Sequence, residues 1–298
     1  MRPTTPDGKG ATIRSGFRLY RATEKIERNE LLDRPSDQLR SAVEAVVPYG
    51  PVKDALSGTW LGHALHPVLT DLPIGAWLSS SLLDFFGGEA TEKSSERLIA
   101  FGLVAAAPTM ASGLADWVDA DQRERRVGLI HAATNAAALL LYAASLSARK
   151  KDRQRAGTVL GLAGGATVMV GGYLGGHLTL ARGVGVDNTA FERLVPEWTR
   201  VAAAADFPED QPLLVDAGGV AVMLVRRAGT IGALANTCSH RGGPLHEGRL
   251  SDGCVTCPWH GSQFRMDDGS VVRGPASAPQ PAYEVRVAGD DVEVRGPK

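Results

Sequence analysis

Three cysteines in 298 residues are too few for a disulfide framework, which excludes the class of small stapled secreted domains. Charge of one sign is missing as well: 32 Lys and Arg stand against 33 Asp and Glu, a formal net charge of -1. Without a basic surplus there is no electrostatic footprint for phosphate-backbone binding, so no nucleic-acid partner is expected. The opening MRPTTPDGKG has no apolar h-region and no twin-arginine pair, and no cleaved leader is expected there. Tandem repeats are also absent.

The most informative deficit is local. Evenly spread, the basic residues would place about nine in any 85 positions. Yet the stretches 67–86, 98–117, 127–146 and 156–180, 85 residues together, hold no Lys or Arg, and their charges are Asp71, Asp84 and Asp116. At 1.5 Å per helical residue each stretch reaches about 30 Å, the thickness of the hydrocarbon core of a bilayer. This pattern predicts four transmembrane helices, and with them membrane lipid as a partner. The competing reading is a soluble Ala- and Gly-rich helical domain. Against it, Gly161, Gly165, Gly171, Gly172, Gly175 and Gly176 would each cost a soluble helix up to about 1 kcal/mol relative to Ala. In lipid the same small residues let helices approach closely, and Pro108 in the second stretch is tolerated.

The chain therefore reads as an α+β multidomain protein. A polar arm, 1–60, contains an amphipathic helix broken by Pro48 and Pro51. A four-helix transmembrane bundle follows over 61–185, then a short linker and an all-β domain over 196–298. In that last part, runs such as LLVDAGGVAVMLVRR and AYEVRVAGDDVEVR alternate with Gly, Asp and Pro turns, the pattern of a small antiparallel domain.

Inside the β domain, Cys238-Ser239-His240 is followed after 16 residues by Cys257-Pro258-Trp259-His260. Two thiolates and two imidazoles, one of each per loop, are what an asymmetric iron-sulfur cluster needs: thiolates for the buried iron, imidazoles for the outer one. A structural zinc could use the same four residues, although zinc fingers pair Cys with Cys and His with His in their two halves. Cys254, in an apolar strand, reads as a small core residue.

The segment NTCSHRGGPLHEGRLSDGCVTCPWHGSQF resembles the two ligand loops of a Rieske-type 2Fe-2S domain, and GPASAPQPAYEV resembles that family's proline loop. The resemblance implies Cys238 and Cys257 as ligands of one iron and His240 and His260 as ligands of the other. It also implies Ser262 as a hydrogen-bond donor to the cluster. Gly243 and Trp259 stand where the respiratory branch has an additional cysteine in each loop, and Phe264 stands where that branch has a donating tyrosine. One donor kept and one lost implies a potential below that of respiratory Rieske proteins. A Rieske oxygenase would need a facial triad of two His and one carboxylate after the cluster domain. Only 38 residues follow His260 in this sequence, none of them His, so no catalytic oxygenase subunit is expected.

In an up-and-down bundle, His63, His66, His131 and His177 would share one face. Histidine within a membrane span is a functional hypothesis by default. His131 and His177, on neighbouring helices, would suit a b-type haem or a metal ion. A quinone pocket, or interfacial caps and hydrogen bonds to Asp71, Asp116 or Asn135, are the alternatives. The segment GTWLGHALHPVLTDLPIGAWLSSSLLDFF resembles an uncharacterised bacterial four-helix membrane domain of unknown function that is found fused to Rieske domains. The expectation is an integral protein of the bacterial inner membrane. The basic loop Arg149–Arg155 opposes Arg123, Arg125 and Arg126 in the positive-inside count, and cluster assembly inside cells favours a cytoplasmic Rieske domain. Two roles follow. One is an electron carrier exchanging electrons with a redox partner protein, or with a haem or quinone in the bundle. The other is a tethered ferredoxin serving a separate oxygenase or reductase.

Overall fold

The computed structural model describes residues 18–206 and 208–297; the leader expectation for residues 1–10 lies outside them. In chain order the helices are α1 (Arg18–Glu27), α2 (Asp33–Val46), α3 (Pro51–Ser57), α4 (Leu65–Phe86), α5 (Glu92–Trp117), α6 (Gln122–Arg149) and α7 (Gln154–Gly176), the last continuing into a π turn, His177–Ala181. Two compact units interleave along the chain. The first holds the residues up to Val43, Thr70–Met110 and Ala120–Val184; the second holds Glu44–Leu69, Ala111–Asp119 and Gly185–Lys298.

The first unit is helical. Glu89–Trp117, Gln122–Arg149 and Gln154–Ala181 are long and apolar enough to cross a membrane. The expected span over 67–86 does form a helix, α4, of 22 residues, but it is not among these three. Ser79, Ser80, Ser81, Asp71 and Asp84 dilute its apolar character, so three of the four expected spans are among the helices long and apolar enough to cross a membrane. Pro73 and Pro108 sit inside α4 and α5 without ending them.

This unit buries an ion pair beside an apolar core of Trp77, Ile99, Ala138 and Tyr142 and turns other large apolar side chains outward. The Asp84 carboxylate at the end of α4 accepts from Arg149 Nη1 (3.0 Å) and Nη2 (2.5 Å) at the end of α6, and from Ser95 Oγ (2.7 Å) at the start of α5. Ser145 Oγ donates to the Gly157 carbonyl (2.6 Å) at the start of α7. Four helix ends thus meet around one buried ion pair, the signature of up-and-down connectivity. Further along, Trp77 stacks on Tyr142 with ring centroids 4.3 Å apart. Glycines admit this stack: a Cβ on Gly102 would lie 2.3 Å from Trp77 Nε1, and one on Gly164 2.9 Å from the Tyr142 ring. Meanwhile Leu82, Phe85, Val104, Leu140, Val159 and Met169 are all more than half exposed. Large apolar side chains outside and an ion pair inside are the arrangement lipid favours.

The strands of the second unit are β1 (Val195–Ala203), β2 (Pro212–Asp216), β3 (Ala221–Arg227), β4 (Thr230–Ala235), β5 (Arg249–Ser251), β6 (Cys254–Thr256), β7 (Gln263–Arg265), β8 (Val271–Arg273), β9 (Glu284–Ala288) and β10 (Asp291–Gly296). They form three antiparallel sheets, in the orders β1-β10-β9, β2-β3-β4 and β5-β6-β7-β8. β3 reads as one continuous apolar run because both of its faces are covered. Val222 and Leu224 join one core with Val292, Val294 and Tyr283, while Met223 and Val225 join a second with Cys238, Cys257, Leu245 and Phe264. The period-2 alternation of a strand makes this double service possible. Cys254 lies on β6, buried, with its thiol toward the Asp252 carbonyl (3.7 Å), as expected of a core residue.

Candidate functional site

Two loops of the β domain repeat one backbone design. In the first, the Cys238 amide donates to the Gly243 carbonyl (2.9 Å) and the Gly242 amide donates back to the Cys238 carbonyl (2.8 Å). In the second, the Cys257 amide donates to the Ser262 carbonyl (2.8 Å) and the Gly261 amide to the Cys257 carbonyl (3.1 Å). Gly242 and Gly261 sit at φ +75 and +74, a left-handed conformation that costs a side chain about 1–2 kcal/mol. The loops differ in one respect: the imidazole comes two residues after the cysteine in the first and three after it in the second. The rings of His240 and His260 stand edge to face, with centroids 5.0 Å apart.

The loops place the four candidate ligands in two pairs. Cys238 and Cys257 are buried at 1% and 3% exposure, whereas both histidines are partly exposed. Sharing a proton with Cys238, aided by the backbone N–H groups of Trp259 and His260, holds the Cys257 thiol below its ordinary value. Cys238 is pushed up by the same shared proton and by burial, against the backbone N–H groups of His240 and Arg241. Backbone donors from both loops therefore converge on two sulfurs, where they stabilise negative charge. Among the described residues no group of three His, Cys, Asp or Glu side chains is placed to hold one ion. Two thiols inside and two imidazoles at the rim fit a two-iron cluster better than one tetrahedral zinc.

The surroundings complete the fit. Gly243 leaves space at the sulfur: a Cβ there would lie 2.8 Å from Cys257 Sγ. Ser262, fully buried, accepts the Ala276 amide (2.9 Å) on its oxygen, which leaves its own proton for another acceptor. Phe264, fully buried on β7, shares a core with both cysteines.

A family model described as Rieske [2Fe-2S] domain matches residues 197–284. Over 103 residues the chain is 32% identical to the anthranilate 1,2-dioxygenase ferredoxin subunit of Burkholderia cepacia, a match covering 35% of this chain and 95% of that one. The chain belongs to the Rieske [2Fe-2S] family. The Rieske domain is also 33% identical over 102 residues to ferredoxin CarAc of Metapseudomonas resinovorans, covering 34% of this chain and 95% of that one. It is 28% identical over 87 residues to the cytochrome b6-f complex iron-sulfur subunit of Chlorobaculum tepidum, covering 29% of this chain and 47% of the relative. Residues 62–188 match a second family model, described as Predicted membrane protein (DUF2231). The chain thus joins a membrane domain to a Rieske domain, which implies a 2Fe-2S cluster.

Two residues of the Rieske site escaped the motif. Gln280, 2% exposed, accepts the Ser239 amide on Oε1 (2.9 Å) and donates from Nε2 to the Ala235 (2.8 Å) and Thr237 (2.6 Å) carbonyls. It ties the proline loop to the first ligand loop, and its only signal in sequence is a lone amide among prolines. Asn188, in the linker, donates from Nδ2 to the Ser239 (3.2 Å) and His240 (2.7 Å) carbonyls. The linker is thus part of the site.

The histidines outside the Rieske domain have separate engagements. His63 Nδ1 bonds to the Ala64 carbonyl (3.0 Å), and the His66 ring packs where a Cβ on Gly113 would fall. His131 Nδ1 bonds to the Gly171 carbonyl (2.9 Å), with Asn135 beside it. His177 Nε2 bonds to Glu27 Oε1 (2.7 Å), a carboxylate that Arg182 also grips. His131 and His177, expected as a bis-histidine pair, thus bond to different groups in this structure. In a low-dielectric bundle His131 takes a carbonyl and His177 a carboxylate, and α1, absent from the four-helix picture, supplies Glu27.

Proposed function

We propose that the protein is a membrane-tethered one-electron carrier in which Cys238 and Cys257 hold the buried iron of a Rieske cluster and His240 and His260 hold the outer iron. The twin loops carry this reading: one backbone design, used twice, buries two sulfurs under N–H donors and leaves two imidazoles at the rim. When bound, such a cluster supplies a one-electron couple. The chain's own residues set its terms. The loop amides offset charge on the sulfurs, Ser262 offers a hydroxyl proton, and Gln280 with the proline loop keeps water from the inner side.

The helical unit is read as an anchor in which α4 completes four spans, because its Leu82, Phe85 and Phe86 turn outward like the apolar residues of the other three. The engagement of His131 by Gly171 and of His177 by Glu27 favours a tether over a second redox centre or a quinone site. The relatives named as ferredoxin components point to a separate oxygenase or reductase as the redox partner, and cluster assembly favours a cytoplasmic Rieske domain. The test is the full chain in mild detergent, with iron and haem quantified and the dithionite-reduced EPR spectrum recorded. About two irons per chain, no haem and a Rieske-type signal lost in Cys238→Ser and His260→Ala are expected. Stoichiometric haem would overturn the tether. A signal unchanged in both variants would overturn the ligand assignment.

A further inference from the structure

The residues that match the Rieske family begin at 197, yet the second unit brings a much earlier segment onto the cluster domain. Asp54, on α3, accepts the backbone N–H of Gly274 on Oδ1 at 2.8 Å, across 220 positions of sequence. Gly274 opens the proline loop, and a Cβ there would lie 3.0 Å from Asp54 Oδ1 and 3.1 Å from Thr59 Cγ2. The contact is therefore tight: a side chain at 274 would press Asp54 and Thr59 back by a few tenths of an ångström. Two residues on, the Ala276 amide donates to Ser262 Oγ (2.9 Å). On the other side Arg273 donates from Nη2 to the Gly261 carbonyl (2.8 Å), next to His260.

The segment that carries Asp54 is itself fixed. Lys53 Nζ pairs with Asp119 at 2.7 Å, both side chains being at most 3% exposed. Tyr49 Oη donates to the other oxygen of that carboxylate (2.5 Å), and the Lys53 ammonium lies 3.8 Å from the centroid of the Tyr49 ring. Ser112 Oγ donates to the Leu56 carbonyl (2.7 Å). A buried pair of this kind is held by geometry, since losing either partner strands a charge. Neighbouring residues of α3 thus point to different tasks: Lys53 secures the strap, and Asp54 holds the proline loop.

The geometry points to Asp54 as a positioning residue for the cluster: by fixing Gly274 it sets the Ala276 amide on Ser262 and so aims the Ser262 proton, which tunes the reduction potential. This rests on the proposed cluster ligation. The effect of the hydrogen bond is separable from that of charge. Asp54→Asn and Asp54→Ala both remove the negative charge, which by itself favours the reduced cluster, but only Asp54→Ala removes the acceptor of the Gly274 amide.

The experiment is an EPR-monitored redox titration of the full chain in detergent. Asp54→Ala is expected to lie below Asp54→Asn by about threefold in the reduction equilibrium, about 28 mV at 59 mV per decade for one electron. In a Ser262→Ala background the difference between the two variants should vanish, as a double-mutant cycle requires of a linked pair. Amide exchange over 274–276 supplies a readout that needs no cluster: it should accelerate in Asp54→Ala and not in Asp54→Asn. Equal potentials of the two variants would overturn the inference, as would equal exchange. Absence of any Rieske signal in the unmodified chain would instead overturn the ligand assignment.

Discussion

Gln280 offers the sharpest test of how the Rieske site is held. Its side-chain amide makes three hydrogen bonds of 2.6 to 2.9 Å, two of them buried, two to the strand and loop before Ser239 and one to Ser239 itself. Gln280→Leu keeps the volume and removes all three. Each buried polar group left without its partner costs about 1–3 kcal/mol, and carbonyls with a second lone pair sit at the low end, so the sum is on the order of 3–5 kcal/mol. That is a fifth or more of an ordinary domain's stability of about 5–15 kcal/mol. In guanidinium, with a slope near 4 kcal/mol per molar for a domain of this size, the midpoint should fall by about 1 M. The assay is bleaching of cluster absorbance against denaturant in mild detergent, with tryptophan fluorescence on the same samples. Gln280→Glu refines it. A carboxylate would set an oxygen against the Ala235 and Thr237 carbonyls, so the fold favours the protonated acid and raises its pKa. Whatever stability Gln280→Glu retains is then greatest below the unfolded carboxyl pKa and is lost as pH rises. A midpoint for Gln280→Leu within 0.2 M of the unmodified protein would refute the reasoning.

Burial pushes the Glu192 carboxyl up to about 7, and the neighbouring negative charge of Asp187 adds to the rise. Its protonated form is the one the fold prefers, so stability should decline as pH rises from about 4.5 to 7, and Glu192→Gln should flatten that slope in denaturant midpoints taken at pH 5 and 7. An equal slope in both proteins would contradict this. Phe264→Tyr places a hydroxyl in the core shared with both cysteines and should raise the midpoint potential; an unchanged potential in a fully loaded variant would dismiss the donor argument. Arg149→Ala strands the Asp84 carboxylate and should cost about 3–5 kcal/mol, read as lost detergent-solubilised, monodisperse protein. Restoration of yield by Asp84→Asn in the same chain is the expected companion result.

Sequence made the ligand loops legible because the chemistry is local: a cysteine, a histidine and a left-handed glycine lie within five positions in each. The helices could be placed because basic residues are excluded from lipid over whole turns. What stayed hidden depends on distance in sequence. Asp54 meets Gly274 across 220 positions, and nothing in the run Pro51–Ser57 marks one acidic residue as the acceptor of a distant amide. Glu27 reads as one charge among many on an exposed arm, yet it lies buried against His177 and Arg182. The hydrogen-bond partners of His131 and His177 stayed hidden for the same reason, since depth in a span constrains where an imidazole sits and not which partner it faces. An absence of basic residues places α4 as a helix but does not rank its apolar character, which Ser79, Ser80 and Ser81 lower without adding charge.

The alternation along β3 has a consequence for how the domain comes apart. Val222 and Leu224 belong to one core, Met223 and Val225 to the core that houses the sulfurs, and the same short strand cannot release one set while keeping the other in register. Loss of order around the cysteines must therefore propagate to the far sheet within a single residue. Melting of the Rieske domain and release of its metal should accordingly be one cooperative event, with a single transition shared by every probe.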